Sequence, residues 1–409
     1  MPATNLSEYK PIGGTHYSEL NQFRKCPQAW FYNYELGLRK QRSETSLALL
    51  FGTWWGALKS AWAVEAGEAA GTIIHELCGE IRLADGMKPL TSTNISVEAV
   101  LEQADRWWQR LSHERQTEWV DRFGAPAREC LDRHLARWLS FYGDELPTWH
   151  PIAVEMYWER EIVDADSGAS LKLAGYIDEL YYDARRDQTV VLDNKTTATL
   201  DPATSADDLM DSQLQLYVWG AAKRVADYLQ EQGTRPPYLK APRAISYDRI
   251  RSALPATPQL TKSGTLSKSV TMYDAATYRA WANTNPTYPG LKKDGSGAGT
   301  YAFDEKVFEK LDTPAVWGKF FQRTLTPVSR ATVTAHLRAA IHTAQAKDSA
   351  REFASKTYEA PRNLSKLVCG FCDFADLCRA QMVAGAEGEW DLAQFGLEQR
   401  SGNPMLIIE

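Results

Sequence analysis

Two aspartates and a lysine follow two neighbouring apolar segments. Asp178 closes the segment that begins at Gly175, and Asp193 and Lys195 directly follow the apolar residues 190–192. Two close carboxylates repel each other unless a cation lies between them. A hard divalent cation such as Mg²⁺ binds carboxylate oxygens together with water and substrate phosphate. A nearby lysine can orient the water or stabilise developing negative charge. These residue types predict hydrolysis of a phosphodiester, although an isolated Asp-x-Lys sequence is usually a solvated charge pair.

A glutamine and a tyrosine follow at helical spacing. Gln213 and Tyr217 are four residues apart, so both project from one face of a predicted helix. An amide and a phenol beside an acidic site can contact a phosphate or orient the lysine. The alternative is an amphipathic helix in which Gln213 is merely exposed and Leu214, Val218 and Ala221 form the core side. The position directly after the Asp-x-Lys segment favours the functional interpretation.

Three cysteines are clustered near the C-terminus. Cys369, Cys372 and Cys378 fall within ten residues, and Cys26 is the candidate for a fourth ligand. Iron–sulfur clusters take four thiolates, whereas zinc sites usually show two close pairs of ligands. A zinc module and free thiols in a solvated tail remain as alternatives. A cluster that includes Cys26 would attach the N-terminal helix to the C-terminal tail.

Bulk composition sets only broad limits. The chain of 409 residues is 44% hydrophobic and 24% charged, with a formal net charge of -6, which is typical of a globular protein. The acidic balance does not indicate nucleic-acid binding, but metal-binding acids remain compatible with it. The sequence shows no apolar run long enough to span a membrane and no signal-peptide pattern. We therefore expect a cytoplasmic protein, in the host cytoplasm if the gene is of phage origin.

The sequence pattern changes from helical periodicity to strand alternation and back along the chain. Apolar periodicity predicts helices over 17–37, 46–66 and 97–144. Alternating residues with intervening turns predict hairpins or a meander over 151–195. The other predicted elements are a helix over 206–230, a strand over 243–248, an exposed loop over 252–300 and a helix over 328–352.

In this order the motifs resemble the RecB-like branch of the PD-(D/E)XK nuclease superfamily. The closer resemblance is to its iron–sulfur members, such as the AddB nuclease domain and the CRISPR-associated and phage exonucleases. It covers Tyr17 to about Arg379, and it is specific because of the order of motifs that are each weak alone. The matching motifs are Tyr17–Pro27 with Cys26, Gly175-x-x-Asp178, Asp193-x-Lys195, Gln213-x-x-x-Tyr217, and Cys369-x-x-Cys372 with Cys378.

The resemblance implies an α/β fold with a restriction-endonuclease-like core, in which helices flank a mixed central sheet. It also implies four parts. These are an N-terminal helical region with the first cluster cysteine (1–150), a nuclease core (151–251), a loop-rich insertion (252–327), and a C-terminal helix with a cysteine-rich iron–sulfur tail (328–409).

The resemblance further implies residue roles. Asp178, Asp193 and the main-chain carbonyl of Asn194 would bind Mg²⁺ or Mn²⁺. Lys195 would act on the attacking water. Two further catalytic residues, Gln213 and Tyr217, would complete the site. A structural [4Fe–4S] cluster would be held by Cys26, Cys369, Cys372 and Cys378.

One ligand departs from the family pattern. The family commonly has a histidine metal ligand in a Gly-Thr-x-x-His helix, but the segment that begins at Gly52 ends in Gly56. A second match ends in His75 and lies about twenty residues later. The apolar residues 47–51 favour the first segment, and therefore a site without the histidine, with His75 as the alternative. An accessory acid, Glu155, is also considered, although an exposed strand charge is the favoured interpretation.

We therefore expect a metal-dependent DNA exonuclease that hydrolyses single strands or DNA ends in recombination or repair. Its partner is DNA, and no membrane is involved. One alternative is a DNA-binding or scaffold protein that keeps the fold and cluster but has weak or no activity. Another is an adaptor protein with a zinc module in its tail.

Overall fold

The computed structural model describes residues 15–40, 46–83, 87–164, 168–200, 208, 210–258, 274–284, 309–311, 313–357, 359–384 and 390–399. The strands in these ranges are β1 (Thr15–His16), β2 (Leu38–Lys40), β3 (Trp149–Val163), β4 (Ser170–Asp183), β5 (Gln188–Thr197), β6 (Ala244–Arg251), β7 (Phe321–Pro327) and β8 (Leu397–Gln399). The α-helices are α1 (Tyr17–Lys25), α2 (Pro27–Trp30), α3 (Leu47–Ala70), α4 (Val97–Trp108), α5 (His113–Phe123), α6 (Ala127–Tyr142), α7 (Ser212–Gln232), α8 (Ala275–Thr284), α9 (Pro314–Trp317), α10 (Arg330–Thr357), α11 (Lys366–Gly370) and α12 (Ala375–Ala384).

A mixed sheet forms the centre of the fold. Its strand order is β1-β4-β5-β6-β7, with β3 paired to β4. Strands β3, β4 and β5 form the antiparallel meander that alternation predicts. Strand β6 then pairs with β5 in parallel, and β7 pairs with β6 antiparallel. Parallel neighbours need a crossover connection, which α7 supplies.

Helices cover both faces of this sheet. On one face, α7 and α10 pack through Leu214 and Leu337 against Val191 on β5. On the other face, α3, α4 and α6 form a second core with Val154 and Ile250. This arrangement confirms the predicted α/β fold with a mixed sheet flanked by helices. No helix in the described ranges is both long and apolar enough to cross a membrane.

Two segments that were each predicted as one continuous helix are interrupted in the structure. The segment predicted as one helix over 17–37 breaks at Cys26, whose backbone is extended (φ -162, ψ 109) and precedes Pro27. The segment over 97–144 is three helices, because Ser112 caps the start of α5 and Gly124, at φ 95, ends it. Only glycine adopts that left-handed conformation without strain, so the chain turns there.

The stretch over 252–327 contributes more structure than a loop-rich insertion. Its described residues include α8, and they include β7, which is a strand of the central sheet. Much of the predicted exposed loop over 252–300, from 259 to 273 and from 285 to 300, lies outside the described residues.

The two ends of the chain meet at a third core. Strand β2 pairs antiparallel with β8, and the core joins Trp30 to Ala354 and Phe374. The main-chain N–H of Ala360 donates a hydrogen bond of 2.7 Å to Oε1 of the fully buried Gln28. The N-terminal helices are therefore attached to the C-terminal tail by protein contacts.

Candidate active site

The residues of the predicted metal site lie on two adjacent strands. Asp178 is on β4, and Asp193 and Lys195 are on β5. The main-chain N–H of Asn194 donates a hydrogen bond of 2.8 Å to Oδ2 of Asp178, which links the strands beside the carboxylates. Lys195 Nζ lies 2.5 Å from Oδ2 of Asp193. The structure thus brings the two aspartates and the lysine together.

Helix α7 adds the amide and the phenol to this group. Gln213 Nε2 donates hydrogen bonds to Oδ1 of Asp193, at 3.2 Å, and to Oη of Tyr217, at 3.0 Å. Asp193 is only 2% exposed and Tyr217 only 9%. The interpretation of Gln213 as a merely exposed amide is therefore wrong.

The start of α7 is fixed on the sheet. Asp211 caps the helix by accepting a hydrogen bond of 2.7 Å from the main-chain N–H of Gln213. The other carboxylate oxygen of Asp211 accepts a hydrogen bond of 2.5 Å from Tyr247 Oη on β6. A cap of this kind satisfies a main-chain donor that the helix leaves free. It also sets where Gln213 lies relative to β5.

A tryptophan between β4 and α7 sets their separation. A Cβ at Gly220 would lie 2.1 Å from the Trp158 ring, and a Cβ at Gly175 would lie 3.1 Å from Trp158 Nε1. Glycine at these two positions lets α7 approach the sheet, and Trp158 fills the remaining space. This packing brings Tyr217 to within contact of β4, where a Cβ at Gly175 would lie 3.2 Å from its ring.

The alternation of side chains is broken where the acids lie. Residues two apart in a regular strand lie on the same face. Val154 and Met156, however, pack into the cores on opposite faces of the sheet. Glu155 between them has a φ of 49, a value that is rare outside glycine. Asp178 lies opposite this irregularity, since Val154 pairs with Glu179 and Met156 with Ile177.

Glu155 is a third acid of this group that the sequence did not favour. The main-chain N–H of Gly79 donates a hydrogen bond of 3.0 Å to the Val154 carbonyl, and a Cβ at Gly79 would lie 2.1 Å from the Glu155 carbonyl oxygen. Burial raises the pKa of Glu155 to about 7, and the charge of Asp193 adds to the effect. The favoured interpretation of Glu155 as an exposed strand charge is therefore wrong. A single acid among apolar strand residues was the sequence feature that could have indicated its part in the site.

The electrostatics of the site favour a bound cation. Burial, followed by the charges of Asp193 and Glu155, raises the pKa of Asp178 well above its usual range. Burial also raises the pKa of Asp193, against the opposing effect of Lys195. Burial alone would lower the pKa of Lys195, but the neighbouring aspartates outweigh it and the pKa is raised. Crowded carboxylates of this kind are stabilised by positive charge.

The donor set suits a hard divalent cation. In the described ranges, no group of three or more His, Cys, Asp or Glu side chains is already arranged around a common metal position. Asp193 instead pairs with the Lys195 ammonium, which supplies the positive charge that the buried acids require. Carboxylate oxygens are the ligands that Mg²⁺ and Mn²⁺ prefer, so the residues fit such an ion.

The two positions considered for a histidine ligand lie in different surroundings. His75 Nδ1 is 3.0 Å from the Ser92 hydroxyl, and its Nε2 is 3.7 Å from Glu68. Gly56 lies in α3, where an added Cβ would meet no atom within 4 Å. The helix therefore has room for a larger side chain at position 56. The ligand role of His75 stays a prediction.

The four predicted cluster cysteines line one small cavity of about 60 Å³. Cys26, at the break between α1 and α2, lies across this cavity from the tail that carries the other three. Burial raises the pKa of Cys372, and the neighbouring Cys26 and Cys378 add to the effect. All six cysteines of the chain are free thiols. Thiols are the ligands that soft metals and iron–sulfur clusters take, although within the described ranges no three of these cysteines are already arranged around a common metal position.

We compared the chain with curated proteins, solved structures and protein-family models. None of the curated proteins compared with the chain matches it. A solved structure described as "Crystal structure of SSO0001" matches at 12% identity, over 71% of this chain and 98% of that chain, with a TM-score of 0.24. A likeness that low supports no argument. A family model for the PD-(D/E)XK nuclease superfamily matches residues 17–379. The chain therefore belongs to the PD-(D/E)XK nuclease superfamily, whose members are metal-dependent hydrolases of nucleic acids.

Proposed function

We propose that the protein is a metal-dependent DNA exonuclease that cleaves single strands or DNA ends. The observation that carries the proposal is the pair of acids on adjacent strands: the Asn194 main chain bonds Asp178, and Lys195 pairs with the buried Asp193. Exonuclease action, DNA as substrate and a role in recombination or repair rest on the ordered motifs that resemble RecB-like iron–sulfur nucleases.

The chain's residues divide the work of hydrolysis. Asp178, Asp193 and the main-chain carbonyl of Asn194 would hold a divalent ion, with Glu155 as a further acid close to them. A bound Mg²⁺ or Mn²⁺ supplies Lewis-acid polarisation of the phosphate and lowers the pKa of water. Lys195 orients that water and stabilises the developing negative charge.

The remaining residues keep this arrangement in place. Gln213 holds one oxygen of Asp193 and the Tyr217 hydroxyl. Because the other oxygen of Asp193 pairs with Lys195, the carboxylate has little rotational freedom. Burial of Tyr217 raises its pKa well above its usual range, so it stays a neutral hydrogen-bonding group throughout the working pH.

Digestion of end-labelled DNA tests this proposal. Single strands, duplexes and matched RNA would be incubated with Mg²⁺, with Mn²⁺ and with a chelator. The wild type should release short products from DNA ends only with metal, and Lys195→Ala should not. Lys223→Ala removes a half-exposed ion pair with Asp227 elsewhere on α7 and should cleave as the wild type does.

A weakly active DNA-binding or scaffold protein is the second candidate. The open space at Gly56 favours it, because the family histidine is absent from that position. Equal cleavage rates for the wild type and Lys195→Ala would support this candidate, provided that both proteins still bind DNA.

We further propose that the tail holds a [4Fe–4S] cluster with a structural role. Its ligands would be Cys26, Cys369, Cys372 and Cys378, which line the shared cavity. The cluster would reinforce the attachment between the chain ends that Gln28 and the third core already make. Purification without oxygen tests this: a brown, iron-containing protein supports the cluster, whereas a colourless protein with zinc supports the zinc module.

A further inference from the structure

A fully buried lysine lies on the face of the sheet opposite α7. Lys59 in α3 is 0% exposed. Its Nζ is 3.4 Å from Oε1 of Glu179 and 3.5 Å from Oδ2 of Asp248, and it lies 3.6 Å from the centre of the Trp138 ring. Burial lowers the pKa of Lys59, while Glu179 and Asp248 oppose that effect.

One of the two acids has other strong partners. Asp248 Oδ2 accepts hydrogen bonds of 2.8 Å from Arg323 Nη2 and of 2.8 Å from Trp138 Nε1. The charges of Arg323 and then Lys59, together with these hydrogen bonds, lower the pKa of Asp248 against the effect of its burial. Asp248 therefore has strong partners besides Lys59, and the contact of Lys59 with Glu179 is the one that distinguishes its position.

Glu179 connects Lys59 to the acids on the other side of the sheet. Its Oε1 accepts a hydrogen bond of 3.3 Å from the Asn194 side-chain amide. The main-chain N–H of the same Asn194 donates to Oδ2 of Asp178 at 2.8 Å. A continuous series of contacts thus runs from α3 through Glu179 and Asn194 to the candidate metal ligand.

Stability alone gives a weak reason for this buried pair. Removing two charges from water costs about as much as their attraction returns, and an apolar pair of similar volume is often as stable. Lys59 is nonetheless surrounded by the aromatic rings of Trp62 and Trp138, where an apolar side chain would pack well. An apolar pair in place of Lys59 and Glu179 would lose the hydrogen bond from the Asn194 side chain to Glu179.

We propose that Glu179 is a positioning residue for the metal site and that Lys59 supplies the charge that keeps its carboxylate buried. Lys59 holds Glu179, Glu179 holds the Asn194 side chain, and this fixes both main-chain groups of Asn194. Its N–H then sets the orientation of Asp178, and its carbonyl is held where the proposed function needs an oxygen ligand. The inference rests on that proposed function for the use of the ion but not for the contacts themselves.

Two double variants separate this role from simple burial. Lys59→Met with Glu179→Gln removes both charges but keeps a carbonyl oxygen that can accept from Asn194. Lys59→Met with Glu179→Leu removes both charges and the acceptor. Each removes one positive and one negative charge, fills the space and leaves Asp248 paired with Arg323, so both should unfold at similar denaturant concentrations. They differ in the hydrogen bond to Asn194.

The first readout is Mn²⁺ binding to the full chain, measured by calorimetry. Loss of a residue that orients a metal ligand typically weakens metal affinity about 10-fold to 100-fold. We expect a loss of about 10-fold or more for the Leu variant and an affinity close to wild type for the Gln variant. Equal affinities in the two folded variants would overturn the proposal.

The second readout is hydrogen exchange of the Asn194 main-chain amide in metal-free protein. Exchange should be faster in the Leu variant and unchanged in the Gln variant. If the Leu variant fails to fold, Asn194→Ala tests the same bond: it should weaken Mn²⁺ binding, and unchanged affinity would reject the proposal. Neither readout needs turnover, so wild-type protein that binds Mn²⁺ but does not cleave DNA would refute the proposed function alone.

Discussion

Lys195 Nζ lies 2.5 Å from Oδ2 of Asp193, an acid that is only 2% exposed. A buried carboxylate is stable as an anion only with a positive partner or several donors. In the structure that partner is the lysine, and Gln213 satisfies the other oxygen. If Asp193 bound a divalent ion, the Lys195 ammonium beside it would remain as a hydrogen-bond donor toward the substrate.

Replacing Lys195 should separate catalysis from metal binding. Lys195→Ala should lower the single-turnover cleavage rate about 100-fold or more, since it removes a group that stabilises charge in the transition state. Mn²⁺ affinity should not fall, because the variant removes a cation that competes for Asp193. Rapid-quench cleavage and calorimetry on the same preparation measure the two effects. A parallel loss of Mn²⁺ binding would contradict the assigned role.

The raised pKa of Glu155 predicts a specific dependence of stability on pH. Its pKa moves from 4.5 to about 7 on folding, so between these values the folded protein keeps a proton that the unfolded chain has released. The free energy of unfolding of metal-free protein should therefore decrease as pH rises from about 4.5 to about 7. Urea unfolding at stepped pH measures this, and Glu155→Gln should show a shallower decrease.

Metal should reverse that trend. Mn²⁺ binds deprotonated carboxylates and stabilises the folded state that binds it. The gain in unfolding free energy on adding Mn²⁺ should therefore be larger near pH 8 than near pH 6, because protons compete with the ion for the carboxylates at the lower pH. A gain that is equal at both pH values would show that the ion binds away from Glu155 and Asp178.

The close approach of α7 to Trp158 can be tested with matched glycine variants. Gly220→Ala places a Cβ 2.1 Å from the Trp158 ring, and overpacking of this kind costs about 1–3 kcal/mol. The shift of α7 should also displace Gln213 and slow cleavage. Gly56→Ala is the control, since its Cβ meets nothing within 4 Å and alanine in a helix is about 0.5–1 kcal/mol more favourable than glycine. Thermal unfolding and cleavage rates compare the two. Equal effects of both variants would refute this account.

The four cysteines that line the shared cavity should be needed for bound iron, whereas the other two should not. Cys372→Ser removes a thiol from the shared cavity and should lose iron and visible absorbance. Cys78→Ser changes a partly buried thiol that donates to the Ile74 carbonyl, and it should keep both. Iron analysis of proteins prepared without oxygen makes the comparison. Full iron content in Cys372→Ser would exclude that cysteine as a ligand.

Much of the frame could be read from the sequence because its signals are local. Alternation and turn residues predict the meander of β3, β4 and β5, and apolar periodicity predicts α3, α7 and α10. The acids at the ends of apolar segments and the spacing of Gln213 and Tyr217 indicate one site because adjacent strands and the following helix must be neighbours.

The features that the sequence did not indicate depend on contacts between distant residues. The positive φ of Glu155 follows from close packing of Gly79 against its backbone, and no periodicity reports that. Strand β7 was hidden within a polar stretch, because its Arg323 is buried through distant partners, namely Asp248 and the Trp149 ring. The buried pair of Lys59 could have been predicted from the sequence, because a single lysine in an otherwise apolar stretch of helix needs a buried acid as its partner.

The most direct test is an anomalous difference map from crystals soaked in Mn²⁺ at a concentration that supports cleavage. We expect one strong peak in contact with carboxylate oxygens of both Asp178 and Asp193, and loss of that peak in Asp193→Asn. A map without density between the two acids, or a peak bound elsewhere with cleavage intact, would contradict it.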